Sequence, residues 1–402
     1  MLQGNRLRSG LLRTALAAGT ALAAAPAAHA LTAPAPITFE AGSLLGKLTL
    51  SGGMDGYGYA LTGAGNSGDA YGLLGTGKSA GFEFQNGLIQ LQKTSGLVQF
   101  TLLAGGNASW TLGTKPGGTS VQTFSTGPFR AAYITIAPNS SFSLSAGQVG
   151  SVEGFESGVD WQNPSMLTTD IFYVENSNSV GVSASYTLGP VAATLTFGDG
   201  FDTNVWNFLQ GSVAVTFNSN NVLTGYFGTN LGHTGPNAHS YGSSTTSWTN
   251  SFVGSGPLSG APFVNSTMFG AYYSYTLGNL NVVPEVQYVY AKQDARVGLP
   301  KFSSNFGAAV FASYQFGKSP YSLGGWVQYF TSNGPDNWFL NPGARGFGIS
   351  IAPTWQQDHL FMRADLGWLH LTNLGAAGAA GYGTTGVGRN QADFILEAGV
   401  LF

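Results

Sequence analysis

Arg363 and Asp365 stand two residues apart in Leu360–Trp368, a stretch whose even positions, Leu360, Met362, Ala364, Leu366 and Trp368, are apolar. A strand projects alternate side chains to opposite faces, so the two charges share one face and the apolar set the other. The pattern recurs. In Val282–Tyr290, Glu285 and Gln287 oppose Val286, Tyr288 and Tyr290; in Phe129–Ile136, Arg130 opposes Phe129, Ala131 and Tyr133; in Leu97–Leu103, Gln99 and Thr101 share a face. Asp55 and Glu83 lie on the first two strand-like stretches, Asp393 and Glu397 on the last. Charges spaced along one face of a ribbon can act on ions. Where they line a water-filled path, carboxylates favour cations and Arg or Lys favour anions.

The balance of such charges is modestly negative. Arg130, Arg363, Arg389 and Lys93 are the available bases, and Arg363 and Asp365 partly cancel. Between Arg130 and Lys292 there is no Lys or Arg, while the same span holds Glu153, Glu156, Asp160, Asp170, Glu175, Asp199, Asp202 and Glu285. Five of these acids fall in the polar gap 151–178. That gap is either a solvated external loop or one that folds inward and narrows a lumen. A weak cation preference is expected, strongest at low salt and fading as carboxylates protonate near pH 4.

Catalysis is a rival chemistry, because His paired with Ser and an acid at a barrel rim can hydrolyse esters. The candidates after residue 30 are His233, His239, His359 and His370. No Ser stands out as a nucleophile, so no catalytic residue is assigned. His233 and His239 lack a third ligand for a metal. The Gly-rich run Gly375–Gly383 has no Lys-Ser/Thr ending, so it is no phosphate cradle, and no cofactor is implied.

The elements that position these charges are strands. Segments of about 9 to 16 residues, the length a tilted membrane strand needs, are separated alternately by short and long gaps. The short gaps, such as Ser95-Gly96, Gly189-Pro190 and Gly278-Asn279, carry the residues that tight hairpins require. The long gaps are rich in Gly, Ser, Asn, Thr and Pro. This gives an all-β, transmembrane antiparallel β-barrel of about 16 strands, with seven short periplasmic turns and eight long external loops. In lipid, only a closed barrel satisfies every backbone group. The final stretch, Asn390–Phe402, puts Phe394, Leu396, Ala398, Val400 and Phe402 on one parity and ends on the aromatic. Aromatics near segment ends, Tyr57, Tyr59, Phe82, Phe84, Trp110, Tyr186, Tyr275, Tyr290, Tyr314, Phe316, Tyr329, Trp355 and Trp368, are expected to form interfacial girdles.

Composition agrees. Charged residues are 8%, aromatics 13%, glycines 60 and cysteines absent in 402 residues; mean hydropathy is only +0.08, as expected when half of each strand is polar. Arg6, Arg8 and Arg13, an Ala/Leu-rich run and Ala28-His29-Ala30 read as a cleavable signal peptide over 1–30. Residues 31–45 read as a periplasmic lead-in and 46–402 as the barrel. Without the leader, 12 basic residues face 18 acids, which argues against nucleic acid as a partner.

Two stretches resemble a known family, the outer-membrane β-barrel porins of the "porin-2" (OmpL-like) type. Leu50-Ser51-Gly52-Gly53-Met54-Asp55-Gly56-Tyr57-Gly58-Tyr59 is similar to its opening strand. Gly147-Gln148-Val149-Gly150 through Gly154-Phe155-Glu156, followed by Asn163-Pro164, is similar to its mid-chain signature, with Gln148 in place of Lys and Phe155 in place of Tyr. Terminal Phe402 resembles the closing-strand signature of outer-membrane barrels and is the candidate assembly signal. The resemblance implies passive transport of small hydrophilic solutes or ions across the bacterial outer membrane. Its implied partners are outer-membrane lipid and the barrel-assembly machinery. Many barrels of this size are homotrimers, though no motif here shows it. The alternatives are a structural or surface-displayed barrel without an open pore and, further off, an outer-membrane barrel hydrolase.

Overall fold

The computed structural model describes residues 31–66, 78–120, 123, 127–235, 260–376 and 380–402. The expected leader, residues 1–30, and His239 lie outside the described residues. The strands in chain order are β1 Ile37–Glu40, β2 Lys47–Leu61, β3 Ala80–Lys93, β4 Val98–Asn107, β5 Trp110–Thr111, β6 Phe129–Ile136, β7 Phe142–Gly150, β8 Leu167–Thr168, β9 Asn178–Leu188 and β10 Val191–Asp199. They continue as β11 Trp206–Asn218, β12 Asn221–Asn230, β13 Ser266–Leu277, β14 Leu280–Ala291, β15 Ser303–Gln315, β16 Tyr321–Asn333, β17 Arg345–Gln357, β18 Leu360–Asn373 and β19 Asn390–Leu401.

Each long strand pairs antiparallel with the next, and β19 returns to β2 with Phe394 opposite Ala60 and Val400 opposite Met54. The result is a closed antiparallel barrel of 16 strands. Closure is completed by Phe402, whose N–H donates to the Gly52 carbonyl at 2.9 Å and whose carbonyl accepts from Gly52 N–H at 2.7 Å. Only glycine fits there: a Cβ on Gly52 would lie 2.3 Å from the Leu88 carbonyl oxygen and 3.0 Å from the Phe402 ring. Below that point β1 takes over the edge of β2, from Ile37 opposite Leu50 to Glu40 opposite Lys47. An edge that would otherwise recruit another strand is thereby covered. Short turns and long loops occupy opposite ends of the barrel, as their strict alternation requires.

Facing follows the sequence pattern on β14, β18 and β19. Leu360, Met362, Leu366, Trp368, Phe394 and Leu396 are exposed on the outer wall, while Arg363, Asp365, Ile395 and Glu397 are fully buried inside. Two expectations fail. On β6 a bulge sets Phe129 opposite Ala104 and Ala131 opposite Leu103, leaving Arg130 as the extra residue. The bulge reverses parity beyond it, so Tyr133 and Thr135 are buried inward while Ile134 and Ile136 face out. The girdle set also divides. Phe82, Phe84, Tyr186, Tyr275, Tyr314, Phe316, Tyr329 and Trp368 are exposed outside. Tyr57, Tyr59 and Trp110 instead pack on one another in the lumen, with ring centroids 5.5–6.1 Å apart. For two of them spacing carried the signal, since Tyr57 and Tyr59 share the parity of Asp55 on β2; Trp110 lies on the separate loop strand β5.

The interior holds two apolar clusters. Wall residues Val283, Phe311, Trp326, Phe330, Leu369 and Ile395 pack on loop residues Trp110, Met166, Leu167 and Phe339. Across β11 to β14, Phe208, Met268 and Val289 pack on Phe201, Phe263 and Trp338. This apolar payload explains why loops of polar composition nonetheless enter the barrel.

Candidate functional site

The segment 151–177, between β7 and β9, folds inward and crosses the lumen. Inside, its strand β8 pairs in parallel with β5 of the preceding loop, Trp110 opposite Leu167 and Thr111 opposite Thr168. The hydroxyls of Thr111 and Thr168 are 2.8 Å apart. Trp326 on the far wall donates its indole N–H to the Leu167 carbonyl at 2.8 Å.

Two wall charges hold this segment. Arg363 donates from Nη2 to Asp160 Oδ2 at 2.6 Å and from Nε to Glu397 Oε2 at 2.7 Å. Its Nη1 also reaches the Asp160 and Asn163 carbonyls, both at 3.3 Å. Asp365 Oδ2 accepts from the Ser165 hydroxyl at 2.5 Å and from the Met166 and Leu167 amides at 2.8 and 3.2 Å, and its other oxygen accepts from Ser350. Arg363 and Asp365 therefore do not neutralise each other across their shared face. Each is spent on a different part of the inward loop.

Asp55 joins the first group. Asn86 donates its side-chain amide to both Asp55 oxygens, at 3.2 and 2.9 Å, and to Asp160. Asn107 supports Asn86 at 2.6 Å and the Gly158 carbonyl at 2.9 Å. Sequence reasoning missed Asn86, Asn107, Ser165 and Ser350. A lone amide or hydroxyl on a strand carries no signal until its partner is placed.

A second acidic group lies toward β12 to β15. Glu285 Oε1 accepts from Tyr226 at 2.7 Å, and Gln287 donates to Glu175 at 2.9 Å. Glu153 accepts from the Asn176 amide at 2.9 Å, Glu156 from the Thr169 amide at 3.1 Å and Asp170 from Asn305 at 3.3 Å. Burial pushes the Glu153 carboxyl up to about 8 and holds Glu156, Asp170 and Glu175 well above the usual carboxylate range.

The remaining candidates stand apart. Arg130 faces Asp202 electrostatically, Glu83 is half-buried opposite Tyr57, and Asp393 is buried with neither oxygen hydrogen-bonded. Lys93 folds back on the Ser95 and Val98 carbonyls at a short turn. Arg389 donates to the Leu371 and Thr372 carbonyls. Of the described histidines, His233 pairs with Asp294 at 2.7 Å, His359 Nδ1 lies 2.7 Å from the Leu401 carbonyl oxygen and His370 stacks on Trp368. The side-chain partners of Asp365 are Ser165 and Ser350, and the bonds of the three described imidazoles go elsewhere.

The wall from β3 to β10 is different in kind. Gln92 donates to Thr101 at 3.1 Å, Thr135 and Ser145 are 2.8 Å apart, Thr196 donates to Ser183 at 2.8 Å, and Ser185 and Thr194 are 3.1 Å apart. This is an uncharged, buried polar bank whose hydrogen bonds run between neighbouring strands.

A family model described as "Putative beta-barrel porin-2, OmpL-like" matches residues 47–402. No curated protein matches the sequence. Among solved structures, the anion-selective porin from Comamonas acidovorans is 11% identical with a TM-score of 0.56, over 88% of this chain and 99% of that one. OmpT, an outer membrane protein of Vibrio cholerae, is 11% identical with a TM-score of 0.55, over 90% and 99%. The outer membrane channel DcaP of Acinetobacter baumannii is 10% identical with a TM-score of 0.55, over 88% and 97%. At such identities the likeness is one of fold.

Proposed function

The chain belongs to the β-barrel porin-2, OmpL-like family, and we propose that it forms a narrow, weakly cation-selective channel for passive diffusion of ions and small hydrophilic solutes across the bacterial outer membrane. The observation that carries this reading is the 151–177 segment pinned across the lumen by Arg363 and Asp365. The hydroxyl and amide bank of β3 to β10, whose side chains are themselves buried, is the uncharged polar side this reading assigns to the passage of water and ions. Carboxyl groups outnumber bases around the lumen: Arg130 and Arg363 face Asp55, Asp160, Glu285, Asp365, Asp393 and Glu397, while Glu153 and Glu156, held neutral near pH 7 by burial, add charge only as pH rises. Low-dielectric walls focus that excess onto the path. Conductance and reversal potential of the purified protein in a planar bilayer test the reading.

Export through cleavage of residues 1–30, delivery by the barrel-assembly machinery through Phe402 and contact of the outer wall with outer-membrane lipid complete it. The proposed assembly is a homotrimer; Vibrio cholerae OmpT is described in a trimer form. A sealed structural barrel is the second reading, favoured by the burial of nearly every inward-facing side chain on β14 to β19 and of the hydroxyl bank on β3 to β10. Absence of conductance from folded protein selects it.

A further inference from the structure

Where the inward loop meets the wall, three carboxylates from distant parts of the chain converge. Asp55 lies on β2, Asp160 on the loop and Glu397 on β19. One oxygen of each lies within 4.8 Å of the other two. All three are buried, Glu397 completely. Arg363 contacts two of them, so one guanidinium charge is set against three carboxyl groups in a site closed to bulk water. A buried charge without a counter-charge is costly.

A second observation points the same way. Glu397 Oε2 accepts from Arg363, while Glu397 Oε1, buried in the same cluster, has no N–H or hydroxyl donor, and the Glu397 carboxyl meets only the neighbouring Asp160 carboxyl, with which it can share a proton. An unsatisfied carboxylate oxygen enclosed with two other carboxylates is a feature that a hydrogen-bond donor or a cation must complete. Asn86 donates to Asp55 and Asp160 and not to Glu397. Oxygens around one Ca²⁺ at about 2.3–2.6 Å lie no more than about 5 Å apart, and carboxylates are the ligands such a hard cation takes.

We propose that Asp55, Asp160 and Glu397 bind one divalent cation, Ca²⁺ being the best fit, which locks the inward loop to the β2–β19 wall beside Arg363. A divalent ion together with Arg363 balances the three groups as carboxylates, displacing their protons, and completes Glu397 Oε1. Histidine-based ligand searches of the sequence could not find it, because the ligands are all carboxylates and lie more than 100 residues apart along the chain.

Tb³⁺ takes Ca²⁺ sites and is excited through a nearby indole, and Trp161 adjoins Asp160. Full-length protein in detergent, stripped with EGTA, should show saturable Tb³⁺ luminescence that Ca²⁺ displaces and K⁺ does not. Glu397→Gln and Asp160→Asn should each lose it. Asp160 sits on the loop and not in the barrel wall, so its variant keeps the barrel, checked by heat-modifiable mobility. Trp161→Phe should lose the luminescence but keep Ca²⁺ binding by calorimetry. Folded wild-type protein without saturable binding, or binding unchanged in both carboxylate variants, overturns the site whatever the channel conducts.

Discussion

Arg363 Nη2 lies 2.6 Å from Asp160 Oδ2, and both side chains are withdrawn from solvent. One belongs to the barrel wall and the other to a loop 203 residues earlier, so this contact decides where the loop sits. Buried pairs contribute little net stability, yet removing one partner costs about 3–5 kcal/mol because the other is left uncompensated. The contact is therefore a positional lock more than a source of stability.

Loop removal should open the path. Deleting Gly158–Pro164 removes Asp160, the Asn163 carbonyl contact and the Asn107 support together. Single-channel conductance should rise clearly, and Asp160→Asn should give a smaller rise. Equal conductance in the deletion and the parent would show that this segment does not narrow the path.

The same loop should respond to pH. Burial pushes Glu153 from 4.5 up to about 8, against the opposing Asn176 amide bond. A carboxyl whose pKa is raised on docking favours the docked state in its neutral form. Docking is strongest below the undocked value and weakens as pH climbs toward the docked one. Conductance should therefore increase between about pH 5 and pH 9, and Glu153→Gln should flatten the rise. A wild-type profile that is flat over this window is the contrary result. The simple expectation of a single change near pH 4 applies to solvated carboxylates, and Glu153 is not one.

Strand number, closure and the faces of β14, β18 and β19 were legible because alternation and turn chemistry are local. The inward loop was legible only as one of two outcomes, since its five acids suit solvent as well as a lumen. What decided it was apolar: Met166, Leu167 and Ile171 bury completely against Trp326 and its neighbours. Tyr57, Tyr59 and Tyr133 were misplaced for two reasons. Aromatic residues suit a lumen core as well as a lipid interface, and the bulge at Arg130 leaves no mark in residue type. The link between Asp55, Asp160 and Glu397 depends on closure of β2 onto β19, which no local pattern encodes.

Phe402 joins the barrel's two ends through its paired bonds with Gly52. Removing Phe402, or Phe402→Asp, should sharply lower the yield of heat-modifiable, membrane-inserted protein. Gly52→Ala should do the same with the terminal residue intact, because its methyl meets the Leu88 carbonyl. Normal insertion of both variants would remove closure at this pair from the account of assembly.

Selectivity tests the charge balance most directly. Lumen carboxylates should give a reversal potential of cationic sign in a salt gradient. The preference should shrink as salt rises, since screening limits the reach of a charge to about 8 Å at 0.15 M. Arg130→Gln should increase it, because Arg130 is one of two inward bases and the other, Arg363, is committed to Asp160 and Glu397. Lys93→Gln should leave it unchanged, because that ammonium is tied to the Ser95 and Val98 carbonyls at a turn. An anionic reversal potential at neutral pH, or a Lys93 effect as large as that of Arg130, would show that other charges govern the path.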